Sequence, residues 1–243
     1  MNNNKVLSLS LNCFSKTQVL SVLRSALGSG KKTRVATINN EISNIAFEDK
    51  KYSNILNSFE LKIPDSAGVA WVLRRNKTKT EVIKGVDLAL NICELSQEMS
   101  KSIFLLGGNS GIGRKSSIEL KKLFPNLKIA GYIDGVKINP QFEPNLVGRI
   151  NNTKPDIIFV CLGAPKQELW IDSNYQHLDS SVFVGLGGTL DFISKTIPRA
   201  PKIMRMIGLE WLFRFAIQPS RYKRIFSALI IFPLRVLLSS HRH

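Results

Sequence analysis

Cysteine and histidine are scarce in this chain. It has three cysteines, Cys13, Cys93 and Cys161, and three histidines, His177, His241 and His243. No two cysteines form a C-x-x-C pair, and an odd, scattered count excludes a disulfide framework. So few histidines beside them argue against a zinc site, and a reducing compartment is the default. Long apolar runs are missing as well. The closest, residues 225–238, falls short of the roughly 20 apolar residues that span a bilayer and is broken by Pro233 and Arg235. Such a stretch can lie on a membrane but not cross it. The N-terminal MNNNKVLSLSLNCF carries one lysine and an interrupted apolar run, and reads as a first strand instead of a signal peptide. Internal repeats and low-complexity linkers are absent.

Acidic residues are in short supply too: 18 Asp and Glu face 34 Lys and Arg, for a net charge of +16. The placement of this excess matters more than its size. From Arg199 onward, nine basic residues stand against Glu210 alone, so half of the net charge falls in the last 45 residues. A basic tail of this kind meets nucleic acid, a membrane surface or a phosphorylated substrate. What the chain does have is 44% hydrophobic and only 21% charged residues, which excludes a disordered chain.

Short β-branched runs alternate with longer helical patterns. Strands are expected at 6–9, 33–37, 61–63, 102–106, 128–133, 156–161 and 182–185, and helices at 16–27, 69–75, 87–99, 113–124 and 166–175. This alternation predicts an α/β fold, Rossmann-like, with a mostly parallel sheet and helices on both faces. Near IPRAP (197–201) the composition turns helical, basic and aromatic. The expected division is therefore a core of residues 1–198 and a C-terminal helical appendage of residues 199–243.

Three of the expected strands run straight into glycine-rich turns: LLGGNSGIG (105–113), VCLGAPKQE (160–168) and VGLGGTLDF (184–192). In a parallel sheet these turns gather at the carboxyl ends of the strands, where open α/β folds bind ligands. Glycine lets the backbone approach a phosphate, and the following helix offers free N–H groups. One such turn is an ordinary strand-to-helix connection; three together favour a nucleotide or sugar-nucleotide site. The candidate substrate-binding residues are Gly107, Gly108 and Asn109 in the first turn, Lys166 and Gln167 in the second, and Asp191 in the third.

The first turn has a rival reading as the cofactor turn of a soluble NAD(P)-dependent oxidoreductase, with Asp134 near the spacing of a ribose-binding acid. Short-chain dehydrogenases of that kind need a Tyr-x-x-x-Lys pair. The residues four beyond Tyr52, Tyr132, Tyr175 and Tyr222 are Leu56, Val136, Asp179 and Phe226, none of them lysine. The oxidoreductase therefore ranks second. In IPDSAGVAW (63–71), Asp65 ends a strand just before a helix, where a carboxylate acts either as an N-cap or as a general base facing the ligand crevice. Thr37 and Asn39 end the preceding strand, with the same choice between capping and lining the crevice.

PDSAGVAW, FLLGG, PDIIFVCLGAPKQELWI, VGLGGTLDF and RAPKIMRMIGLEWLFRFAIQPSRYKRI resemble, in order, the WecG/TagA/CpsF family of bacterial glycosyltransferases. The resemblance runs from about Val35 to Phe226. It implies an inverting transferase that moves a sugar from UDP to an undecaprenyl-diphosphate-linked acceptor at the cytoplasmic face of the membrane. The best-known members transfer N-acetylmannosamine or its uronic acid onto lipid-linked N-acetylglucosamine. Carried over residue by residue, Asp65 matches the proposed catalytic base, Thr37 and Asn39 the polar pair lining the pocket, and Gln167 a substrate-contacting glutamine. Arg214, Arg221 and Arg224 match basic appendage positions that meet the lipid diphosphate or the membrane. One position departs: the family commonly shows an arginine in an E-R-V-x-G block, whereas this chain reads Glu81-Val-Ile-Lys-Gly85, with Val82 in its place and Lys84 the nearby cation.

Many sugar transferases hold the donor diphosphate with a metal on an Asp-x-Asp motif, and no Asp-x-Asp occurs here. The leaving charge must then be met by backbone dipoles and cationic side chains, so neither a metal nor another cofactor is expected. Trp211, Leu212, Phe215, Ile225, Phe226, Ile230 and Phe232 could pack on the core or at a homo-oligomer interface. No recognised nucleic-acid motif accompanies the tail charge. Arginines beside aromatics and a short apolar stretch fit an interfacial helix on an anionic surface better. The expected location is cytoplasmic, peripheral on the inner face of the cell membrane.

Overall fold

Parallel strands packed on both faces must be apolar along their whole length, whereas strands open to water on one side alternate. The computed structural model, which describes residues 4–201, 204, 210–219 and 222–239, shows the first pattern. Six strands form one sheet: β3 (Thr33–Ile38), β4 (Leu61–Pro64), β5 (Ser102–Gly107), β6 (Lys128–Ile133), β7 (Ile157–Cys161) and β8 (Val182–Gly185). Their order is β4-β3-β8-β7-β5-β6, and every pairing is parallel. The four inner strands β3, β8, β7 and β5 bury nearly every side chain.

Strand periodicity splits these residues between two apolar layers. Ala36, Ile38, Phe104, Leu106, Ile158, Val160 and Phe183 face one layer; Val35, Ile103, Leu105, Ile157, Phe159, Val182 and Val184 face the other. Helices α2 (Asn40–Glu48), α3 (Lys50–Ser58), α4 (Ala67–Arg75), α7 (Pro144–Asn151) and α8 (Lys166–Asn174) cover the first. Helices α1 (Lys16–Ser29), α5 (Gly85–Glu98), α6 (Ile112–Leu123) and α9 (Thr189–Ile193) cover the second. The Rossmann-like α/β class expected from the alternation is thus the one observed.

Two differences have physical causes. The expected first strand at 6–9 does not join the sheet. It folds into an antiparallel hairpin of β1 (Lys5–Val6) and β2 (Leu9–Ser10), in which Val6 pairs Leu9 and both side chains plug the first layer. Leu7 turns the chain with a φ of 51°. Helices α2 and α3, which strand-helix alternation did not suggest, are set by polar caps. The Asn39 carboxamide oxygen accepts from the Ile42 N–H at 3.0 Å, and the Asp49 carboxylate accepts from the Tyr52 N–H at 3.0 Å. Ile42 with Ala46, and Tyr52 with Leu56, then form buried i, i+4 pairs.

The C-terminal part contains α10 (Glu210–Ile217) and a run made of α11 (Tyr222–Phe226), a π-helical turn (Ser227–Ile231) and α12 (Phe232–Ser239). This run lies against α2, and Phe232 and Val236 are buried in the first apolar layer. No helix among the described residues is long and apolar enough to cross a membrane.

The sheet register brings the strand ends to one level. Ala36, Gly185, Val160 and Leu106 lie side by side, so the turns after β3, β8, β7 and β5 start together. Gly107, with a φ of 106°, is one point of close approach, where a Cβ would stand 2.5 Å from the Cys161 carbonyl oxygen. Gly107→Ala should therefore destabilise the fold by roughly 2–4 kcal/mol, from strain at positive φ together with overpacking. Urea unfolding is the measurement, and a change under about 0.5 kcal/mol, the ordinary size of a surface substitution, would contradict the close approach.

Candidate active site

The helices that follow neighbouring strands leave on different faces. α8, after β7, packs into the first layer through Trp170 and Ile171; α6, after β5, packs into the second through Ile112 and Leu120; α9, after β8, joins the second through Leu190 and Ile193. Such reversals open a crevice at the carboxyl ends of the strands, where Thr37, Asp65 and Gln167 lie.

Asp65 follows the last residue of β4. Its N–H donates to the Ile38 carbonyl at 2.8 Å, extending the β3–β4 pairing by one step. Its Oδ1 accepts from the Gly85 N–H at 3.0 Å. The capping task belongs to the next residue: Ser66 Oγ accepts from the Val69 N–H at 3.2 Å and is the N-cap of α4. Asp65 is thereby left outside the helix, half-buried at the mouth of the crevice. Gly85, at the start of α5, is itself packed near two hydroxyls. A Cβ there would lie 3.4 Å from Thr189 Oγ1 and 3.8 Å from Thr37 Oγ1. Thr37 itself is buried and donates to the Gly185 carbonyl at 3.0 Å, across from β3 to β8. Asn39, half-buried, has its carboxamide oxygen committed to capping α2. Lys84, half-buried, is the N-cap residue of α5 directly before Gly85.

Gln167 is buried and held at both ends of its amide. Its Oε1 accepts from the Gly187 N–H at 2.7 Å and its Nε2 donates to Glu168 Oε1 at 2.7 Å. Glu168 has no exposed surface, and its Oε2 accepts from the Tyr52 hydroxyl at 2.8 Å. Gly185 leaves the space for this pair, since a Cβ would meet Gln167 Nε2 at 3.1 Å and Glu168 Oε1 at 3.4 Å. Burial pushes the Glu168 carboxyl up to about 7, against the opposing pull of the Gln167 amide and the Tyr52 hydroxyl, with the nearby Glu41 charge raising it further. Burial, with the charge of Glu168 behind it, drives the Tyr52 hydroxyl well above the ordinary tyrosine range.

The first glycine turn is more distant, at the end of β5, with β7 between it and β8. Gly108 accepts from the Gly135 N–H at 3.0 Å and Asn109 is exposed. Asp134 Oδ2 accepts from the Gly113 N–H at 2.6 Å. A carboxylate already occupies the N-terminus of α6, where the oxidoreductase reading needs a dinucleotide pyrophosphate. The start of α8 differs, with no side-chain cap and an exposed Lys166 in its first turn. Asp191, half-buried in α9, lies near enough for its charge to raise the already buried Cys161 thiol further. Among the described residues, no group of three or more His, Cys, Asp and Glu is placed to hold a metal ion.

Of the appendage arginines, Arg224 pairs with Glu41 in the first turn of α2 at 3.1 Å, which brings it to the carboxyl-end side of the sheet. The side chain of Arg214 and the whole of Arg221 lie outside the described residues. The structure therefore joins Thr37, Asp65 and Gln167 through the glycines at 85, 185 and 187. It adds Glu168, Tyr52 and Thr189, which the sequence reading passed over. The signal for Glu168 was helical spacing: Trp170 and Ile171 face the core, so positions 167 and 168, three or four residues earlier, share that face.

The state of Glu168 has a consequence for stability. Folded, its carboxyl keeps its proton up to about pH 7; unfolded, it ionises near the ordinary value of 4.5. Between these values the folded state holds the extra proton, so this group's contribution to stability falls as pH rises from about 4.5 to 7 and is level beyond. Glu168→Gln cannot ionise, and its melting temperature should show a flatter slope across that window than the wild type. Parallel curves from pH 4.5 to 7 would refute the buried, proton-holding carboxyl.

Comparison with known proteins agrees with this geometry. The family model described as glycosyl transferase WecG/TagA/CpsF family matches residues 4–243. Three relatives carry the name N-acetylglucosaminyldiphosphoundecaprenol N-acetyl-beta-D-mannosaminyltransferase. The protein of Bacillus subtilis (strain 168) is 34% identical over 195 residues, 79% of this chain and 75% of its own. That of Bacillus spizizenii is 33% identical over 203 residues, 83% and 77% of the two chains. That of Staphylococcus aureus (strain MRSA252) is 32% identical over 195 residues, 79% and 74%. The range matched by the family model takes in the Asp65 turn, the Gln167 turn and the C-terminal helices together, and leaves the oxidoreductase reading without support. This chain is a glycosyltransferase and belongs to the WecG/TagA/CpsF family.

Proposed function

We propose that the chain transfers N-acetylmannosamine or a related sugar from a UDP donor to the sugar of an undecaprenyl-diphosphate-linked acceptor. The transfer proceeds with inversion and without a metal, in the assembly of a cell-surface polysaccharide or teichoic acid. The observation that carries this reading is the Asp65 carboxylate, released from helix capping by Ser66 and held at the crevice mouth by the Gly85 N–H. The names of the relatives, which specify a lipid-linked acceptor and a mannosaminyl group, support the choice of substrates.

In a single displacement, Asp65 takes the proton of the acceptor hydroxyl as its oxygen bonds to the anomeric carbon. The bond from that carbon to the UDP oxygen breaks with its electron pair leaving on UDP. The N–H donated by Gly85 orients the carboxylate. Thr37, Asn39 and Gln167 line the sugar side, with Gly107, Gly108, Asn109 and Asp191 bounding the donor. The charge on departing UDP is met by the uncapped start of α8 with Lys166, and by Arg214, Arg221 and Arg224 of the appendage. Lys84, directly before Gly85, supplies the positive charge where Val82 replaces the usual arginine.

We place residues 1–198 as the catalytic core and 199–243 as a membrane-associating appendage on the inner face of the cell membrane. Phe226, Ile230, Leu234, Leu237 and Leu238 follow helical spacing and are exposed, on the side of the run away from buried Phe232 and Val236. Trp211, Leu212 and Phe215 add exposed apolar surface on α10. Basic residues near an anionic surface add about 1 kcal/mol each to such an apolar stripe.

Asp65→Asn keeps the shape of the turn and the Gly85 contact while removing the proton acceptor. Turnover of a UDP-sugar with a lipid-diphosphate acceptor should fall by roughly 10²–10⁴ with UDP affinity nearly unchanged, and wild-type turnover should persist in EDTA. Near-normal turnover in the variant would remove Asp65 from the chemistry, and loss in EDTA restored by Mg²⁺ would reveal a metal requirement.

The membrane half of the reading is tested separately. Leu234→Ser with Leu238→Ser leaves the buried face of α12 intact and removes two exposed leucines, each worth roughly 1.5–3 kcal/mol if buried in lipid. Cosedimentation with anionic liposomes should weaken by at least about tenfold. Unchanged binding would assign the exposed stripe to another partner, including a second copy of this chain.

A further inference from the structure

The π-helical turn at Ser227–Ile231 sits where two asparagines of α2 reach the C-terminal run. The turn closes its backbone bond from the Phe232 N–H to the Ser227 carbonyl, one residue wider than an α-helix. Asn44 Nδ2 donates to the Ser227 carbonyl at 2.8 Å and to its Oγ at 3.0 Å, and Asn40 Nδ2 donates to the Ala228 carbonyl at 2.8 Å. Asn40 and Asn44 are four apart on α2, so both meet the same face of the run. Side-chain donors entering a widened ladder are a known cause of such local distortion, and these turns are frequent at functional sites.

Asn40 has a second partner. Its Oδ1 accepts from Ser66 Oγ at 2.7 Å, and Ser66 is the N-cap of α4 and the residue that follows Asp65. Gly68 is packed against the same amide: a Cβ there would stand 2.4 Å from both Asn40 Nδ2 and Oδ1. One carboxamide thus spans from the backbone of the appendage helix to the side chain that ends the Asp65 turn. Every member of this chain of bonds is fixed in direction, since a carboxamide offers its donor to one partner and its acceptor to the other.

We propose that Asn40 is a positioning residue through which the seating of the C-terminal helix on α2 sets the placement of the Asp65 turn. This deepens the reading of Asp65 as the base, on which its catalytic meaning rests. An appendage seated on α2 holds Asn40 with its amide N–H group toward Ala228 and its oxygen toward Ser66, and the α4 cap with Asp65 is then fixed. An appendage lifted from α2 leaves that amide free to rotate and the cap unsupported. The two ends form a single coupled equilibrium, reciprocal by linkage.

The experiment perturbs one end and reads the other in the full-length protein. Val236→Ala loosens the seat of α12 because Val236 is buried in the first apolar layer, next to Arg235, which pairs with Glu48 at the end of α2 away from Asn40. Hydrogen exchange should then quicken by about threefold or more in the 227–239 segment and also at Val69, whose N–H is closed by Ser66 Oγ. Asn40→Asp keeps an acceptor for Ser66 but loses the donor to Ala228. On that background, Val236→Ala should still quicken exchange in 227–239 and no longer alter it at Val69. With a soluble acceptor analogue, Asn40→Asp should lower kcat by about threefold to tenfold with the donor KM within about twofold. Exchange at Val69 that ignores Val236→Ala, or that follows it equally with Asp at position 40, overturns the proposal. The exchange readout does not depend on Asp65 being the base, so an active Asp65→Asn protein would sink the catalytic reading while leaving the coupling to stand or fall by itself.

Discussion

A parallel sheet buried on both faces confines all polar business to its two ends. The inner strands of this protein carry apolar side chains to both layers, so no charged group can enter the sheet without a compensating partner. Backbone groups that run out of ladder at the carboxyl ends must be satisfied by turns, caps and side chains. Asp65, Thr37, Asn39, Gln167 and Ser66 all take part in that satisfaction. The crevice is polar because the sheet is not.

Three carboxyl groups near this edge show how environment assigns roles. Asp134 is spent on the Gly113 N–H and stabilises the start of α6. Glu168 is enclosed without exposure and is satisfied by Tyr52 and Gln167, so it serves as a rigid post that orients the Gln167 amide toward the Gly187 turn. Asp65 is half-buried just beyond β4, with its Oδ1 on the Gly85 N–H at the start of α5. A proton acceptor has to be reachable by substrate, which excludes the enclosed Glu168 and is consistent with the proposal of Asp65 as the base.

The C-terminal run has two sides with opposite demands. Phe232 and Val236 are buried against the core, while the stripe from Phe226 to Leu238 is exposed. Arg224 with Glu41, and Arg235 with Glu48 and the Asn44 carbonyl, clamp the run to α2. A helix held this way presents apolar surface outward while its other side is seated on α2.

Six sheet strands and five helices were legible in the sequence because strand runs buried on both faces and helices with a buried face leave distinct periodic patterns. The Asp65 turn and the three glycine turns were legible because glycine and proline punctuate strand ends, and the long motif blocks carried the family. Helices α2 and α3 escaped notice because their identity rests on the Asn39 and Asp49 caps and on short buried pairs, Ile42 with Ala46 and Tyr52 with Leu56, inside a polar stretch. The hairpin of β1 and β2 looked like a sheet strand because two paired residues per arm carry no register information of their own. What the amino-acid order determined by itself was the class of fold, the family, and the glycine turns and polar residues gathered at the carboxyl ends of the strands. Which carboxylate caps, which is buried and which faces the crevice was decided only in three dimensions. Those roles depend on partners far away in the chain: Gly85 for Asp65, Tyr52 for Glu168, Gly113 for Asp134 and Ala228 for Asn40. Contacts of that range come from sheet order and helix packing, which no local pattern encodes.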